Sequence, residues 1–431
     1  MRLAIPRTVL RAHLQRWAND GFVALVVALQ AGALAPWFAS TRGVGDGLVL
    51  QGAFAVAYAL AAGLLLLRLV RRRRVRLCWW MLWPVAYVIL AAVSVAWSDV
   101  PALTLRRVIA LAGTLVFAWW VAETMTPGRA LRSVALGLLL LAAASFAMLA
   151  LAPHLAVHQG GQHVGNWRGA LLHKNLLGRE MALATTLTLA LAVLAPRSQR
   201  RWWLAAALGP ALLVLGARSA TGLVLLAAGV SVVVLAAVPA VGARERWARR
   251  ALVTSVLVAG VAFSASLGWL ALDVLGRDAT FTGRDRIWEV TIADLSARPW
   301  TGAGYGAFFE GPGGEAVSRA LDYRVGHAHN GLLQAATSLG LPGVALIIVL
   351  YVSVVVRAFT APAFAAARPL VLGFLVHVGL LSLTDAIMSG PNSLSLSLAV
   401  AFVLMRASDA GAKTARRHGA KLVTSPAAVA P

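Results

Sequence analysis

Residues 133–152 read SVALGLLLLAAASFAMLALA and contain no charged side chain. A helix of about 20 apolar residues crosses the roughly 30 Å hydrocarbon core of a bilayer. Similar runs recur along the chain, in which 60% of residues are hydrophobic and the mean hydropathy is +0.77. Because backbone polar groups find no water in lipid, such runs must satisfy their own hydrogen bonds as helices. The sequence therefore predicts an all-α, polytopic membrane protein.

Hydropathy predicts about twelve membrane spans, with boundaries uncertain by several residues. They lie at 21–40, 48–69, 80–97, 107–124, 133–152, 179–196, 202–217, 220–240, 251–273, 333–357, 369–389 and 391–405. The chain then divides into nine helices over 1–273, a long connection at 274–332, three helices over 333–405 and a tail at 406–431 that we expect to be disordered.

The net charge of +23 is distributed as short basic clusters between the apolar runs. Examples are Arg71 to Arg74 and Arg244 to Arg250. Alternate connections carry these clusters, which is the pattern of cytoplasmic loops. It predicts an inner-membrane protein with both termini in the cytoplasm, and it excludes nucleic acid as a partner because no polar domain presents a basic face. The N-terminal basic stretch runs directly into a span, so no cleavable signal peptide is expected.

Two connections on the predicted periplasmic side are candidates for function. Connection 274–332 is roughly 60 residues long, and long loops in compact proteins are usually functional. Within it, Thr282 and Asp285 have the spacing of a helix N-cap with an acidic partner, so a short helix should follow. Connection 153–178 is shorter but rich in histidine and in cationic residues.

The predicted periplasmic face concentrates cationic and potentially cationic side chains. Arg218 is the most informative, because a charge at this position runs against the positive-inside bias and is costly unless it has a role. Planar guanidinium groups bind phosphate oxygens in a bidentate manner, so a lipid diphosphate at headgroup level is the ligand that fits. The full set is Arg168, Lys174, Arg218, Arg284, Arg286, His327 and His329.

Metal chemistry is not expected. The single cysteine, Cys78, allows no disulfide within the chain and no cysteine-based metal site, and no Asp-x-Asp occurs to hold a divalent cation on a diphosphate. His327 and His329 lack a carboxylate or cysteine at matching spacing. A neutral histidine suits general-base work on a hydroxyl group instead. We therefore predict no metal and no cofactor.

Short motifs in a fixed order resemble the bacterial O-antigen ligase and polysaccharide polymerase family over roughly residues 95–405. The most specific is His329-Asn330, followed after nine residues by Gly340-Leu341-Pro342-Gly343. The others are Trp97-Ser98-Asp99 with Thr104 to Arg107, Trp167-Arg168-Gly169 with His173 to Gly178, Arg218 to Gly222, Thr282-Gly283-Arg284 with Ile287-Trp288, and Pro299 with Gly302 to Gly306. One departure is Gly222, where the ligases often carry leucine.

The resemblance implies a GT-C-like membrane glycosyltransferase without a metal. Its donor would be a glycan on undecaprenyl diphosphate, and its first-choice acceptor the lipid A–core of lipopolysaccharide. Arg218 and Arg284 would bind the diphosphate and stabilise the leaving group, and His329 would orient or deprotonate the acceptor hydroxyl for attack with inversion. Further substrate-binding residues would be Arg168, Lys174, Asn175, His327, Arg286 and Asn330. Capping by Asn330 and close packing by Gly340 and Gly343 are the structural alternatives.

Other functions stay open at this point. Polymerisation of repeat units on the lipid carrier shares the donor and the site with the ligase reaction, and differs in the acceptor. Protein O-glycosylation would be expected to need a larger additional region. A lipid or solute transporter is the alternative from another class, but transporters place polar groups near the midplane, whereas this chain concentrates them at one face. The sequence does not distinguish Arg284 from Arg286 as the diphosphate ligand.

Overall fold

The computed structural model describes residues 7–33, 46–72, 79–237, 242 and 284–405. Within these ranges the regular structure is helical, and the only β pairing is an isolated bridge between Val157 and Trp167. The all-α prediction is confirmed for this part of the chain. Predicted span 251–273, the Thr282 cap and the tail 406–431 lie outside it.

The described α-helices are numbered in chain order. In the first part they are α1 (Arg7–Gln30), α2 (Asp46–Arg72), α3 (Leu82–Val93), α4 (Pro101–Thr124), α5 (Pro127–Leu151), α6 (Pro153–Ala156), α7 (Lys174–Leu194), α8 (Arg197–Ala217) and α9 (Ala220–Ala237). In the second part they are α10 (Arg284–Ala297), α11 (Pro312–Leu321), α12 (Gly331–Thr360), α13 (Pro362–Ala365), α14 (Arg368–Leu381) and α15 (Leu394–Leu404).

Among the described residues, seven helices are long and apolar enough to cross a membrane. They are Val49–Arg71, Trp79–Trp97, Pro101–Thr124, Pro127–Leu151, Lys174–Leu194, Ala220–Ala237 and Gly331–Thr360, each overlapping a predicted span. Helices α14 and α15 are apolar but shorter. A polytopic membrane protein is the consistent architecture, while the number of twelve spans and the GT-C-like arrangement remain predictions.

Helix α7 is the central helix of the bundle. In the apolar window of α7, 78% of residues are buried, the highest share among the seven candidate spans. It packs against α8, α9, α14 and α5, while α4 packs against α2 and α15. One hydrophobic core joins these helices. The N-terminal end of α7 is therefore held by several neighbours, which fixes the position of the polar residues that precede and begin it.

The described part of the long connection folds into a small helical layer with its own core. Its buried side chains include Ile287 from α10, Phe308 and Phe309 from a 3-10 turn, and Val317 from α11. Helices α10 and α11 pack against each other, and α10 also packs against α12. Because this layer has its own hydrophobic core, it can hold the first residue of α10, Arg284, in a defined place.

The ion pair of Arg298 with Asp99, called the clamp below, and a series of close backbone contacts join this layer to the bundle. The guanidinium of Arg298 donates to both carboxylate oxygens of Asp99, at 2.7 and 2.8 Å, and Arg107 donates to the carbonyl oxygen of Gly306. The Asp99 amide donates to the carbonyl oxygen of Ala303 at 2.9 Å. The Trp97-Ser98-Asp99 and Gly302 to Gly306 motifs are thus the two sides of one packing interface.

Glycine is required at two points of this interface. Gly340 has φ +65°, and a Cβ there would lie 2.5 Å from the carbonyl oxygen of Pro299. Gly304 has φ +93°, and its Cβ would lie 2.5 Å from Ser98. Positive φ strains residues other than glycine, and neither site has room for a methyl group. The close-packing role expected for Gly340 is therefore observed, and it puts a kink in α12.

Candidate functional site

A cavity of about 280 Å³ opens at the end of the bundle where α7, α9, α10 and α12 begin. Among the described residues, its lining combines histidines and arginines with one carboxylate: His173, Asn175, Leu176, Arg179, Thr221, Arg284, His327, His329, Leu381, Thr384 and Asp385. Of the predicted site residues, the cavity brings together Asn175, Arg284, His327 and His329. Asn175, Arg284 and the pair of His327 with His329 come from three distant parts of the sequence, and only the fold makes them neighbours.

The backbone of His329 is held in the left-handed region by hydrogen bonds on both sides of it. His329 has φ +51°, which is uncommon for a residue other than glycine. Before it, the Ala328 carbonyl accepts from Trp288 Nε1 at 2.9 Å and the Ala328 amide donates to Gln334 Oε1 at 2.9 Å. After it, Asn330 caps α12 by accepting from two backbone amides at 3.0 Å. Strain fixed in this way is typical of functional sites.

The imidazole of His327 is oriented by its neighbour. Its Nδ1 accepts from the His329 backbone amide at 3.3 Å, and the two rings lie 4.0 Å apart between centroids. A neutral imidazole that accepts at Nδ1 carries its proton on Nε2, so His327 offers a hydrogen-bond donor. Burial lowers the pKa of His327, and the nearby charges of Arg179 and Arg284 lower it further, against the effect of Asp385.

His329 is held neutral more strongly than His327. Burial is the largest cause, followed by the neighbouring His327 and Arg284, and together they lower the pKa of His329 to about 4. Burial also lowers the pKa of Arg284, although Asp385 opposes this effect. At neutral pH His329 therefore carries no proton on one ring nitrogen, so it can accept a proton beside a guanidinium group.

Asp385 lines the cavity and forms an ion pair with an arginine of the central helix α7. Its Oδ2 accepts from Arg179 of α7, and its Oδ1 lies 3.9 Å from His327 Nδ1. The Arg179 Nε donates to Glu180 at 3.1 Å, so one arginine lies between two carboxylates. Asp385 and His377 both belong to the predicted span 369–389, and neither is among the residues that the sequence predicts for the site. Asp385 lines the cavity, whereas His377 does not.

The start of α7 is tied to the start of α9. His173 caps α7 by accepting from the Asn175 amide at 3.2 Å, and the Ser219 hydroxyl donates to Asn175 Oδ1 at 3.1 Å. The helices can approach because a Cβ on Gly222 would lie 2.9 Å from the Gly178 backbone. The two family motifs that contain these residues therefore meet at the cavity wall, which explains why each needs small residues.

The other predicted site residues lie outside the cavity lining. Arg218 ends α8 in the left-handed conformation with an exposed side chain, and its carbonyl oxygen accepts from Lys174 Nζ at 3.1 Å. Arg168 donates to the Leu155 carbonyl at 2.8 Å. Arg286 is exposed and pairs with Glu289 at 2.7 Å. Asn330 serves as the cap of α12. Substrate contact by these five residues therefore stays a prediction.

Three histidines of connection 153–178 cluster beside the cavity. The rings of His158, His163 and His173 lie 5.1–5.7 Å apart between centroids. His158 Nε2 accepts from the Lys174 amide at 3.2 Å, and His173 Nδ1 is occupied by its capping bond. Burial lowers the pKa of both rings, that of His173 to about 4. Over the described ranges, no three His, Cys, Asp or Glu side chains are grouped to hold a metal ion.

The fold and the cavity define a class: a helical membrane protein with a histidine- and arginine-lined cavity at one end of its bundle. Residues 203–348 match the family described as O-antigen ligase. The exopolysaccharide production protein ExoQ of Rhizobium meliloti is 26% identical over 292 residues. That alignment covers 63% of this chain and 64% of the relative, so the chain spans less than two thirds of that protein's length. Both matches agree with the resemblance to the O-antigen ligase and polysaccharide polymerase family that the sequence motifs indicated.

Proposed function

We propose that this protein is a membrane glycosyltransferase of the bacterial inner membrane. It moves a glycan from undecaprenyl diphosphate to an acceptor hydroxyl at the periplasmic face, without a metal ion and with inversion at the anomeric carbon. The observation that carries the proposal is the cavity in which neutral His329 lies among Arg284, Arg179 and His327. The family match supports the reaction class.

The donor diphosphate would be held by the cationic part of the site. Arg284 lines the cavity, and His327 presents its Nε2 proton as a further donor. Arg218 and Lys174 lie next to each other at the exposed start of α9, where a lipid headgroup can approach from the bilayer. Arg168 extends the positive charge on the same face. Fixed charges aimed at the leaving group are usually the largest catalytic contribution.

His329 would accept the proton of the acceptor hydroxyl. The hydroxyl oxygen forms a bond to the anomeric carbon while the bond from that carbon to the diphosphate oxygen breaks. The electron pair leaves with undecaprenyl diphosphate, whose charge the guanidinium groups stabilise. A base with a pKa near 4 is weak, but a bound diphosphate raises the pKa of a neighbouring imidazole by attraction. Substrate binding would thus make His329 a stronger base when it is needed.

The first candidate acceptor is the lipid A–core of lipopolysaccharide. The family match over residues 203–348, described as O-antigen ligase, supports this choice. Helix α12 begins directly after His329 and Asn330, and the connection before it forms a layer above the cavity. An acceptor carried by a second lipid would approach His329 through the bilayer-facing side of this layer.

The second candidate is polymerisation of repeat units on the lipid carrier. The relative named for exopolysaccharide production supports it, as does Gly222 in place of the leucine usual in ligases. The donor, the leaving group and the proposed catalytic residues are the same. Only the acceptor changes, from lipid A–core to the glycan of a second carrier-linked molecule.

Reconstitution with a defined donor tests both candidates. The full chain in liposomes would receive a glycan on undecaprenyl diphosphate together with either lipid A–core or a second carrier-linked glycan, in the presence of EDTA. A product on lipid A–core identifies a ligase, and a lengthened carrier-linked glycan identifies a polymerase. Donor translocation without any new glycosidic bond would identify a transporter and overturn the proposal. Complete inhibition by EDTA would overturn the metal-free mechanism.

A further inference from the structure

A second cavity lies at the opposite end of the bundle from His329. Its volume is about 200 Å³, and helices α1, α2 and α4 form its walls. The lining residues are Gln15, Asn19, Leu64, Leu67, Arg68, Arg71, Trp120 and Thr124. Helix α4 begins beside Asp99 at the His329 end and finishes at Thr124, so the two cavities are separated by the length of a span.

The lining changes from apolar to cationic along α2. Leu64 and Leu67 of α2 line the cavity, and Arg68 and Arg71 follow them toward the end of the helix. Gln15 and Asn19 of α1 and Thr124 of α4 add uncharged polar groups around the arginines. None of the described residues that line this cavity is acidic. The cavity therefore offers cationic side chains with aliphatic side chains directly below them.

We propose that this cavity binds the headgroup of an anionic membrane phospholipid. The two arginines would bind the phosphodiester oxygens, for which guanidinium geometry is suited. The amides and the threonine hydroxyl would bind the glycerol hydroxyls, and the acyl chains would pass along Leu64 and Leu67. Basic pockets between helices near the cytoplasmic surface are a recurrent site for anionic lipids. The site is separate from the glycan-transfer cavity.

A lipid rather than free phosphate is favoured by the position of the aliphatic residues. Leu64 and Leu67 are both exposed, so the apolar wall faces the bilayer side of the bundle. A free phosphate ion would use the arginines but gain nothing from this wall. A phospholipid would use both, and burial of apolar surface contributes about 25 cal/mol per Å².

The test uses the full-length protein in detergent and follows its thermal unfolding midpoint. A ligand that binds the folded state raises this midpoint with its concentration. The probes are dioctanoyl phosphatidylglycerol, dioctanoyl phosphatidylcholine and inorganic phosphate. We expect a saturable rise with phosphatidylglycerol, a smaller one with phosphatidylcholine and none with millimolar phosphate. Inorganic phosphate binding as tightly as phosphatidylglycerol would overturn the lipid proposal.

Two variants and a matched control locate the site. Arg68→Gln with Arg71→Gln should weaken phosphatidylglycerol binding by at least about tenfold, given roughly 1 kcal/mol per arginine near an anionic lipid. Arg197→Gln with Arg200→Gln has the same spacing on an exposed turn at the same end of the bundle, and should bind as the wild type does. Leu67→Trp fills the cavity while keeping both arginines, and should also lose binding. Unchanged affinity in Leu67→Trp, or equal losses in the test and control pairs, would overturn the proposal.

Discussion

Arg298 binds both carboxylate oxygens of Asp99, and this clamp joins the helical layer above the cavity to the turn before α4. Arg298 also donates to Asp294, at 2.7 Å to its Oδ1 and 3.1 Å to its Oδ2. The two side chains are 27% and 17% exposed, so solvent screens the pair only in part. Because Arg284 begins the helix that contains Asp294, the clamp also determines where Arg284 lies.

Loss of the clamp should destabilise the protein. Arg298→Lys keeps the charge but cannot form the two parallel hydrogen bonds, and hydrogen bonds to charged groups are worth about 1.5–3 kcal/mol each. We expect a lower thermal unfolding midpoint in detergent. Arg319→Lys is the control, because its pair with Glu315 is exposed and 3.8 Å long. Equal midpoints for the two variants would contradict the assignment of the clamp.

The two adjacent arginines of α10 should differ in function. Arg284 lines the cavity, whereas Arg286 is exposed and paired with Glu289. Removing one group that stabilises a leaving-group charge costs about 10²–10³ in kcat, so Arg284→Gln should lose transfer to that extent. Arg286→Gln should transfer glycan at a near-normal rate. The measurement is initial rate in the reconstituted system, and the reverse order of activities would exclude Arg284 as the diphosphate ligand.

Replacement of His329 should remove most of the transfer activity. General-base catalysis contributes typically 10²–10⁴-fold, and we expect a loss in this range for His329→Ala. His154→Ala is a matched control, since His154 is exposed in connection 153–178 and does not line the cavity. Both variants should reach the membrane in normal amounts. Near-normal turnover by His329→Ala would rule out His329 as the base.

The pH dependence of the rate should reveal the lowered pKa of His329. The imidazole is neutral, and active as a base, above its pKa of about 4, and it becomes protonated as the pH falls through that value. The acid limb of kcat/KM should therefore lie well below the ordinary value of 6.5. The acid limb of kcat should lie at higher pH, because bound diphosphate raises the pKa. Acid limbs of kcat and kcat/KM that lie at the same pH would contradict this account.

The Arg179–Asp385 pair should behave as a coupled unit. Removing one partner of a buried ion pair costs about 3–5 kcal/mol, whereas removing both costs less. Arg179→Gln alone leaves the carboxylates of both Asp385 and Glu180 without their partner, so it should lower the unfolding midpoint more than Arg179→Gln with Asp385→Asn together. Such a recovery in the double variant is the readout, measured by thermal unfolding in detergent. Additive losses would show that the two side chains act independently.

The sequence predicted the helical class and four of the residues that line the cavity, and there are physical reasons why the other lining residues were not predicted. Spans such as α5 are long and uniformly apolar, so hydropathy alone identifies them. His329 and Arg284 were predicted because they belong to the cationic set of one predicted face and because their motifs follow the order of the family. Asp385 and Arg179 were not assigned to the site, since a single sequence cannot tell which ionisable residues of two helices face each other.

Several motif residues have a structural role. Gly340 is needed for close contact between α12 and the backbone of Pro299, Gly304 is needed for close contact with Ser98, and Asn330 caps a helix. These residues belong to the family resemblance but do not line the cavity. No pattern in one sequence separates a glycine that allows close packing from one that borders a substrate. Only the positions of the neighbouring atoms make that distinction.

Gly340, which kinks α12, is needed for packing, and this matters when homologues are classified by their glycine motif. A homologue could keep the glycines, the helix cap and the Asp99 clamp, and so keep the architecture, while having lost the reaction. Searches based on the glycine motif would recover such a protein together with active enzymes. Pseudoenzymes in this family should be recognisable by substitutions at positions equivalent to His329, Arg284 and Asp385 on an otherwise intact scaffold.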